Sequence, residues 1–262
     1  MTLVLVSVLF YLLATGLLVT GLQGNRSRSR YWAGPAVVAL VAHALVHAHA
    51  WQDSGGADMH FFAALSLVGL GMALLTTLVG LGGRMAALGV VVYPLASTML
   101  LLCAAKGHGA AISAPLDWRL QLHAWLALLA YATLAVSALL AIMLWLQERA
   151  LRRREFHRWL RALPPLVELE TLLFRTISAG FVLLSATLLT GILFVENLLA
   201  QHLVHKTVLS LLSWLTFGAL LVGRWRYGWR GATAVRWTLT AMVLLVLAFF
   251  GSKFMLELVL RR

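Results

Sequence analysis

Eight long apolar stretches dominate the sequence, and each is close to the ~20 residues with which an α-helix crosses a bilayer. They cover residues 1–22, 33–50, 61–81, 85–103, 120–146, 177–195, 207–222 and 237–256. Hydrocarbon offers the backbone no hydrogen-bond partner, so a spanning segment is helical unless it belongs to a closed β-barrel. No stretch alternates polar and apolar residues as a barrel strand does. The sequence therefore predicts an all-α, polytopic membrane bundle of about eight transmembrane helices.

The composition excludes the other common classes of protein. Only 11% of the 262 residues are charged and 61% are apolar, whereas a soluble domain has roughly 25% charged residues. The single cysteine, Cys103, rules out a disulfide framework within the chain. Little sequence lies outside the apolar stretches and no internal repeat is visible, so we expect a single membrane domain over residues 1–262. The first stretch lacks a basic segment before it and a clear cleavage site, which favours a retained helix over a signal peptide.

The basic residues lie mainly on one side of the predicted bundle, and the side rich in Lys and Arg is normally cytoplasmic. This side holds 15 of the 21 basic residues: Arg26, Arg28, Arg30, Arg84, Arg149, Arg152, Arg153, Arg154, Arg158, Arg161, Arg175, Arg224, Arg226, Arg230 and Arg236. An even number of spans then places both termini on the outer side. Topology and contact with membrane lipid thus explain the net charge of +12, and no nucleic-acid partner is expected.

The longest connection between apolar stretches, residues 147–176, falls on the predicted cytoplasmic side. Its basic, partly amphipathic segment 149–166 is expected to lie along the membrane surface. Pro164 and Pro165 are expected to break the helix there, because proline lacks the backbone N–H that a helix interior needs.

The histidines are distributed unevenly across the predicted membrane. Eight of the nine lie towards the outer side, and only His157 is cytoplasmic. His43 is roughly 10 Å below the outer interface at ~1.5 Å per residue, and His47 follows one turn later on the same face. His123 opens the fifth stretch and His205 precedes the seventh. An ionisable side chain inside a span is a functional candidate by default.

Imidazole binds haem iron or another transition metal, or relays protons. A haem site needs one or two axial histidines and apolar walls, and Trp125 is one of several aromatic residues at the outer helix ends that supply a wall. Zinc sites normally add thiolate or carboxylate ligands, and neither an HExxH motif nor a cysteine motif is present. A hydrogen bond between helices explains His43 equally well, and the aromatic belt also explains the tryptophans. No nucleophile or general-base motif is visible, so an enzyme is not predicted.

Several segments of the second half, in order, resemble those of a known family. They are LHAW…AYATL (122–134), LPPLVELE (163–170), FVLLSATLLTG (181–191), KTVLSLLSW (206–214) and YGWRG (227–231). The combination is similar to that of the cytochrome c assembly superfamily of haem-handling membrane proteins, in its short branch of HemX-like and YpjD-like inner-membrane proteins.

The resemblance covers residues 120–256, and the sequence departs from the family in several places. The histidine usual near the end of the seventh span is replaced around residues 221–223. The family's outer tryptophan-rich haem motif should precede Lys206, but residues 196–205 contain no tryptophan. Of the family's haem-ligand histidines, only His123 has a matching context, and His43 is similar to an early-span histidine of some members. The resemblance implies a bacterial inner-membrane protein with haem as cofactor, which assists cytochrome c assembly or haem homeostasis. Its implied partners are cytochrome c assembly or haem-biosynthesis proteins.

Together these features predict a haem at the outer leaflet between the second, fifth and seventh spans. His123 is expected to be one axial ligand, His43 or His205 the other, and Trp125 part of the wall. Three alternatives stay open: a transporter or permease, a regulatory or scaffold membrane protein without bound haem, and a membrane metal site.

Overall fold

The computed structural model describes residues 1–23, 30–54, 60–82, 86–106, 117–154, 165–194 and 204–251. Within these ranges the chain is almost entirely helical and forms no β-strand. Among the described residues, eight helical segments are long and apolar enough to cross a membrane. Their α-helices are α1 (Thr2–Gln23), α2 (Ala33–Ser54), α3 (Phe61–Leu81), α4 (Gly89–Lys106), α5 (Trp118–Arg152), α6 (Leu166–Phe194), α7 (Val204–Tyr227) and α8 (Gly231–Val246). A 3-10 turn at Ala86–Leu88 precedes α4, and a π-helical turn at Leu247–Gly251 extends α8 to the full length of its span. The predicted all-α architecture is therefore confirmed for the described residues.

Two helices are much longer than the apolar stretches that predicted them. α5 has 35 residues and α6 has 29, which makes them about 52 Å and 44 Å long at ~1.5 Å per residue. A hydrocarbon core is only ~30 Å thick, so both helices continue into polar surroundings. The expected start of the sixth span at residue 177 is wrong for the helix, because Glu168, Glu170 and Arg175 interrupt the apolar run without interrupting α6.

The segment 149–166, expected along the membrane surface, is described only at its ends. α5 continues through Arg152, and α6 begins at Leu166 directly after Pro165. Residues 155–164, including His157 and Pro164, lie outside the described residues.

The described helices divide into two compact units. Unit 1 contains α1–α4: α1 packs against α2 and α4, and α3 packs against the same two helices, which closes a ring of four. Its largest fully buried side chains include Tyr11 and Tyr93, whose rings stack at 5.6 Å. Unit 2 contains α5–α8 in an equivalent ring, in which α5 and α7 each contact α6 and α8. That the whole chain acts as one membrane domain stays a prediction.

Small side chains bring α5 and α6 close together in unit 2. Ala130, Ser137 and Ala141 of α5 are fully buried. A Cβ added to Gly180 of α6 would lie 2.5 Å from Leu134 Cδ2. Two helices in lipid gain little from the hydrophobic effect, so they associate through such close van der Waals packing.

A short turn joins α7 to α8 and depends on two glycines. Gly228 and Gly231 have positive φ angles of 66° and 52°, which glycine adopts without steric cost. The Gly228 N–H donates to Arg224 O at 3.1 Å and the Trp229 N–H donates to Gly223 O at 3.3 Å. The Trp229 ring thereby folds back over Gly223, where a Cβ would overlap it.

We expect Gly223→Ala to destabilise unit 2 by about 1–3 kcal/mol, because overpacking against a rigid indole forces the turn to move. Gly218→Ala on the same helix is the matched control, since its Cβ would meet Phe181 at an ordinary 3.4 Å. Denaturant unfolding in detergent micelles measures both. Equal unfolding midpoints for the two variants would contradict the packing of Trp229 on Gly223.

Candidate functional site

His123 lies in the second turn of α5 and contacts the last turns of α6. Its Nδ1 is 3.1 Å from Thr190 Oγ1, and its side chain is half-buried. A Cβ on Gly191 would lie 3.2 Å from His123 Cε1, so the glycine leaves room for the ring. The antiparallel pairing of α5 with α6 thus joins two segments of the family resemblance, 122–134 and 181–191, at one end of unit 2.

The hydrogen bonds around Thr190 favour the tautomer of His123 that has its hydrogen on Nδ1. Thr190 Oγ1 lies 2.9 Å from Ala186 O and 3.0 Å from Thr187 O. A hydroxyl has one hydrogen, which Thr190 donates to these backbone carbonyls. With its hydrogen used in this way, the Thr190 oxygen can accept from the imidazole, and hydrogen on His123 Nδ1 satisfies all three contacts. Nε2 keeps an unshared electron pair, and a metal-bound histidine is commonly oriented in this way through its other nitrogen.

Aromatic and basic side chains accompany His123 at this end of unit 2. Trp125 is half-buried on α5. Trp118 and Phe194 contact edge to face with ring centroids 6.1 Å apart, and the Arg119 guanidinium lies 5.7 Å from the Trp118 ring. His205 is exposed in the first turn of α7, at the same end as His123 because successive helices of the unit run antiparallel.

His43 lies in unit 1 and is fully buried. Its Nδ1 is 3.3 Å from Tyr11 Oη and its Nε2 is 2.9 Å from Ser66 Oγ. The hydrogen bond between helices that was the alternative reading of this residue is therefore present. Iron ligation by His43 stays a prediction, and it would require one of these hydrogen bonds to be given up. Its pairing with His123 likewise stays a prediction.

No group of three or more His, Cys, Asp or Glu side chains suited to a metal ion occurs among the described residues. Two of the histidines on the predicted outer side, His108 and His202, lie outside that part of the chain.

A buried ionic cluster lies at the other end of unit 2 and was not found from the sequence. Glu170 of α6 is 3% exposed. Its carboxylate accepts from Arg224 Nη1 at 2.8 Å and from Arg230 Nε at 2.9 Å. The hydrogen bond and charge of Glu170 raise the pKa of the exposed Arg230 guanidinium. Two segments of the family resemblance, 163–170 and 227–231, meet in this cluster.

Several known proteins resemble the chain over much of its length. Residues 31–260 match the family model described as cytochrome C assembly protein. The inner membrane protein YpjD of Escherichia coli K12 is 31% identical over 258 residues, which are 97% of this chain and 98% of that protein. HemX of Brevibacillus brevis is 30% identical over 131 residues, 49% of this chain and 48% of its own length. A 28.8 kDa protein of Azospirillum brasilense is 36% identical over 149 residues, 56% of this chain and 55% of its own. No solved structure matches the chain.

The apolar helices and these relatives define a multi-pass protein of the bacterial inner membrane. The chain belongs to the cytochrome c assembly protein family. The resemblance to YpjD-like and HemX-like proteins is thereby confirmed. The family match begins at residue 31, so it also takes in helices of unit 1 that lie before the recognised segments.

We expect Glu170→Gln to lower the thermal unfolding midpoint of the protein in detergent, because it removes the charge that two arginines share. Glu168→Gln is the control, since Glu168 is exposed on the same helix and exposed charges contribute little to stability. Differential scanning fluorimetry compares the two variants. A shift no larger for Glu170→Gln than for Glu168→Gln would contradict a stabilising role for the cluster.

Proposed function

We propose that this protein binds haem in unit 2 through His123 Nε2 and so assists cytochrome c assembly or haem homeostasis. The observation that carries the proposal is the hydrogen bond from His123 Nδ1 to Thr190, which leaves Nε2 as the ligand atom. Membership of the cytochrome c assembly family supports the same function. The role proposed is binding and presentation of the cofactor, without catalysis by side chains of this chain.

The residues around His123 fit the chemical character of a porphyrin. Trp118, Trp125 and Phe194 offer aromatic surface for an apolar macrocycle. The guanidinium of Arg119 offers a charge partner for a carboxylate on its rim. His205 is the second ligand that we favour, since it lies in the same unit and its side chain is exposed. When bound, haem supplies an iron whose potential depends on its axial ligands and on the polarity of the pocket.

The protein also has a proposed orientation in the membrane. We place both termini and the His123 end of unit 2 on the outer side. The opposite end of α5, with Arg149 and Arg152, and the Glu170 cluster then face the cytoplasm. The support is the excess of Lys and Arg in the connections on that side. Haem bound at His123 would accordingly lie near the outer leaflet.

We expect the protein, purified in mild detergent and supplied with haem, to have a Soret band that His123→Ala abolishes or strongly weakens, because the axial nitrogen is lost. His49→Ala is the control, since His49 is exposed in unit 1. Visible spectroscopy with haem titration measures both variants. No Soret band in the wild type after titration would refute haem binding.

Within the same experiment, Thr190→Val tests the orienting role of the hydroxyl. It keeps the ligand and the approximate shape but removes the acceptor for Nδ1, and loss of such a partner typically weakens metal affinity about 10–100-fold. An unchanged haem affinity would remove the support that the hydrogen bond gives to His123. If His123→Ala leaves the spectrum unchanged while a protein partner still co-purifies, a regulatory or scaffold role is favoured.

We expect a membrane-impermeant maleimide to label Asp117→Cys, but not Arg152→Cys, in intact spheroplasts. Both positions are exposed at opposite ends of α5, and the natural Cys103 is 1% exposed and gives little background. Labelling is read by a gel shift, and permeabilised cells serve as the positive control for Arg152→Cys. The reverse labelling pattern would invert the proposed topology.

A further inference from the structure

The turn between α7 and α8 has an exposed surface of aromatic and basic side chains. Trp225 is 83% exposed and Tyr227 is 73% exposed, and Arg226 between them is also exposed. Next to them, Trp229 stacks on Tyr227 and contacts Trp237 of α8, with ring centroids 6.3 Å and 5.1 Å apart. Large apolar rings and a guanidinium are thus presented together at one end of unit 2.

Arg230 is fixed at this turn by a buried partner and keeps one edge of its guanidinium open. Its Nε donates to both carboxylate oxygens of Glu170, at 2.9 Å and 3.1 Å, while 56% of the side chain is exposed. All its hydrogen bonds to other described residues involve Nε, so the donors on Nη1 and Nη2 remain available. A guanidinium held in this way is preorganised for a phosphate, which accepts two parallel N–H groups.

Positive charge is in excess around the turn. Two carboxylates and four arginines lie on the turn and the adjoining helix ends: Glu148, Glu170, Arg224, Arg226, Arg230 and Arg236. Glu170 is already shared by Arg224 and Arg230. Glu148 lies beside Gly231, where a Cβ would be 2.5 Å from its Oε1. The excess charge therefore favours an anion from outside the chain.

We propose that Trp225, Arg226, Tyr227 and Arg230, which we call the turn surface, bind the head group of one anionic phospholipid. The terminal nitrogens of Arg230 and the guanidinium of Arg226 would hold the phosphate. The rings of Trp225 and Tyr227 would lie against the glycerol and the upper part of the acyl chains.

The position of the turn and its mixture of side chains favour a lipid over a soluble anion. α7 and α8 are both long and apolar enough to span the membrane, so the short turn that joins them lies at the level of the head groups. Trp and Tyr concentrate at this level because each combines an apolar ring with a polar group. Inorganic phosphate or an acidic peptide would engage the guanidiniums and leave the exposed rings in water, whereas a phospholipid engages both. Basic clusters at this depth bind anionic head groups such as that of cardiolipin.

The turn surface is separate from the proposed haem site, because it lies at the end of unit 2 opposite His123 and shares no residue with that site. Lipid binding and haem binding can therefore fail independently.

The test is native mass spectrometry of the full-length protein in detergent, titrated with cardiolipin and, separately, with zwitterionic phosphatidylcholine. We expect one retained cardiolipin per chain, held about fivefold more weakly after Arg226→Gln, since an arginine near an anionic surface contributes about that factor. Arg230→Lys should weaken it as well, because lysine keeps the charge beside Glu170 but loses the fork of donors. Trp225→Ala should weaken it through the loss of ring contact.

Arg152→Gln is the matched control, since Arg152 is an exposed arginine of α5 at the same end of unit 2, and it should bind like the wild type. Arg226 is the principal variant because it is outside the Glu170 cluster, and circular dichroism and size-exclusion chromatography verify the fold of each variant.

Equal losses in Arg226→Gln and Arg152→Gln would overturn the site in favour of diffuse attraction to positive charge. Phosphatidylcholine retained as well as cardiolipin would contradict recognition of an anionic head group. Release of cardiolipin by inorganic phosphate, but not by chloride at the same ionic strength, would identify a soluble anion as the ligand. Unchanged retention in Trp225→Ala would likewise remove the case for a lipid.

Discussion

The absence of water inside a bilayer is the constraint on which this structure depends. Every backbone group in the hydrocarbon has to find its partner within the protein, and the helix provides it locally. The hydroxyl side chains obey the same requirement, since most of them donate to the carbonyl four residues earlier. Thr77, Ser97, Thr133, Ser137, Thr187 and Thr238 are examples. A hydroxyl satisfied in this way has no hydrogen left to donate, but its oxygen can still accept. Thr190 can thus accept from Nδ1 of His123, and Thr77 can accept from the hydroxyl of Tyr93.

The sequence predicted the helices well and the helix ends poorly. Hydropathy located all eight helices because each has to be apolar where it meets lipid. It missed the extra turns of α5 and α6 because a helix outside the hydrocarbon need not be apolar. A hydropathy profile therefore does not distinguish these polar turns from a connecting loop. Residues Leu166 to Thr176 read as a connection, although they form the first three turns of α6.

The candidate site was predicted only in part, for a similar reason. His123 was identifiable from its position and its neighbouring segment. The partner of His123, Thr190, lies 67 residues away, and only the packing register of α5 on α6 brings the two together. The contact of Glu170 with Arg230 depends likewise on the glycine turn after α7. The contacts of Tyr11 and Ser66 with His43 were harder still to predict from the sequence. Isolated Ser and Thr hydroxyls in apolar stretches usually bond to their own helix.

One consequence of the length of α5 concerns the mechanics of unit 2. The same uninterrupted rod has His123 near its beginning and Arg149 and Arg152 near its end. Over about 52 Å, at ~1.5 Å per residue, each degree of tilt at one end displaces the far end by roughly 0.9 Å. No proline interrupts α5, and proline is a common cause of the sharp bends that would uncouple the two ends of a helix. A rearrangement around the imidazole would therefore be transmitted as a lateral shift of the arginines on the far side of the bilayer.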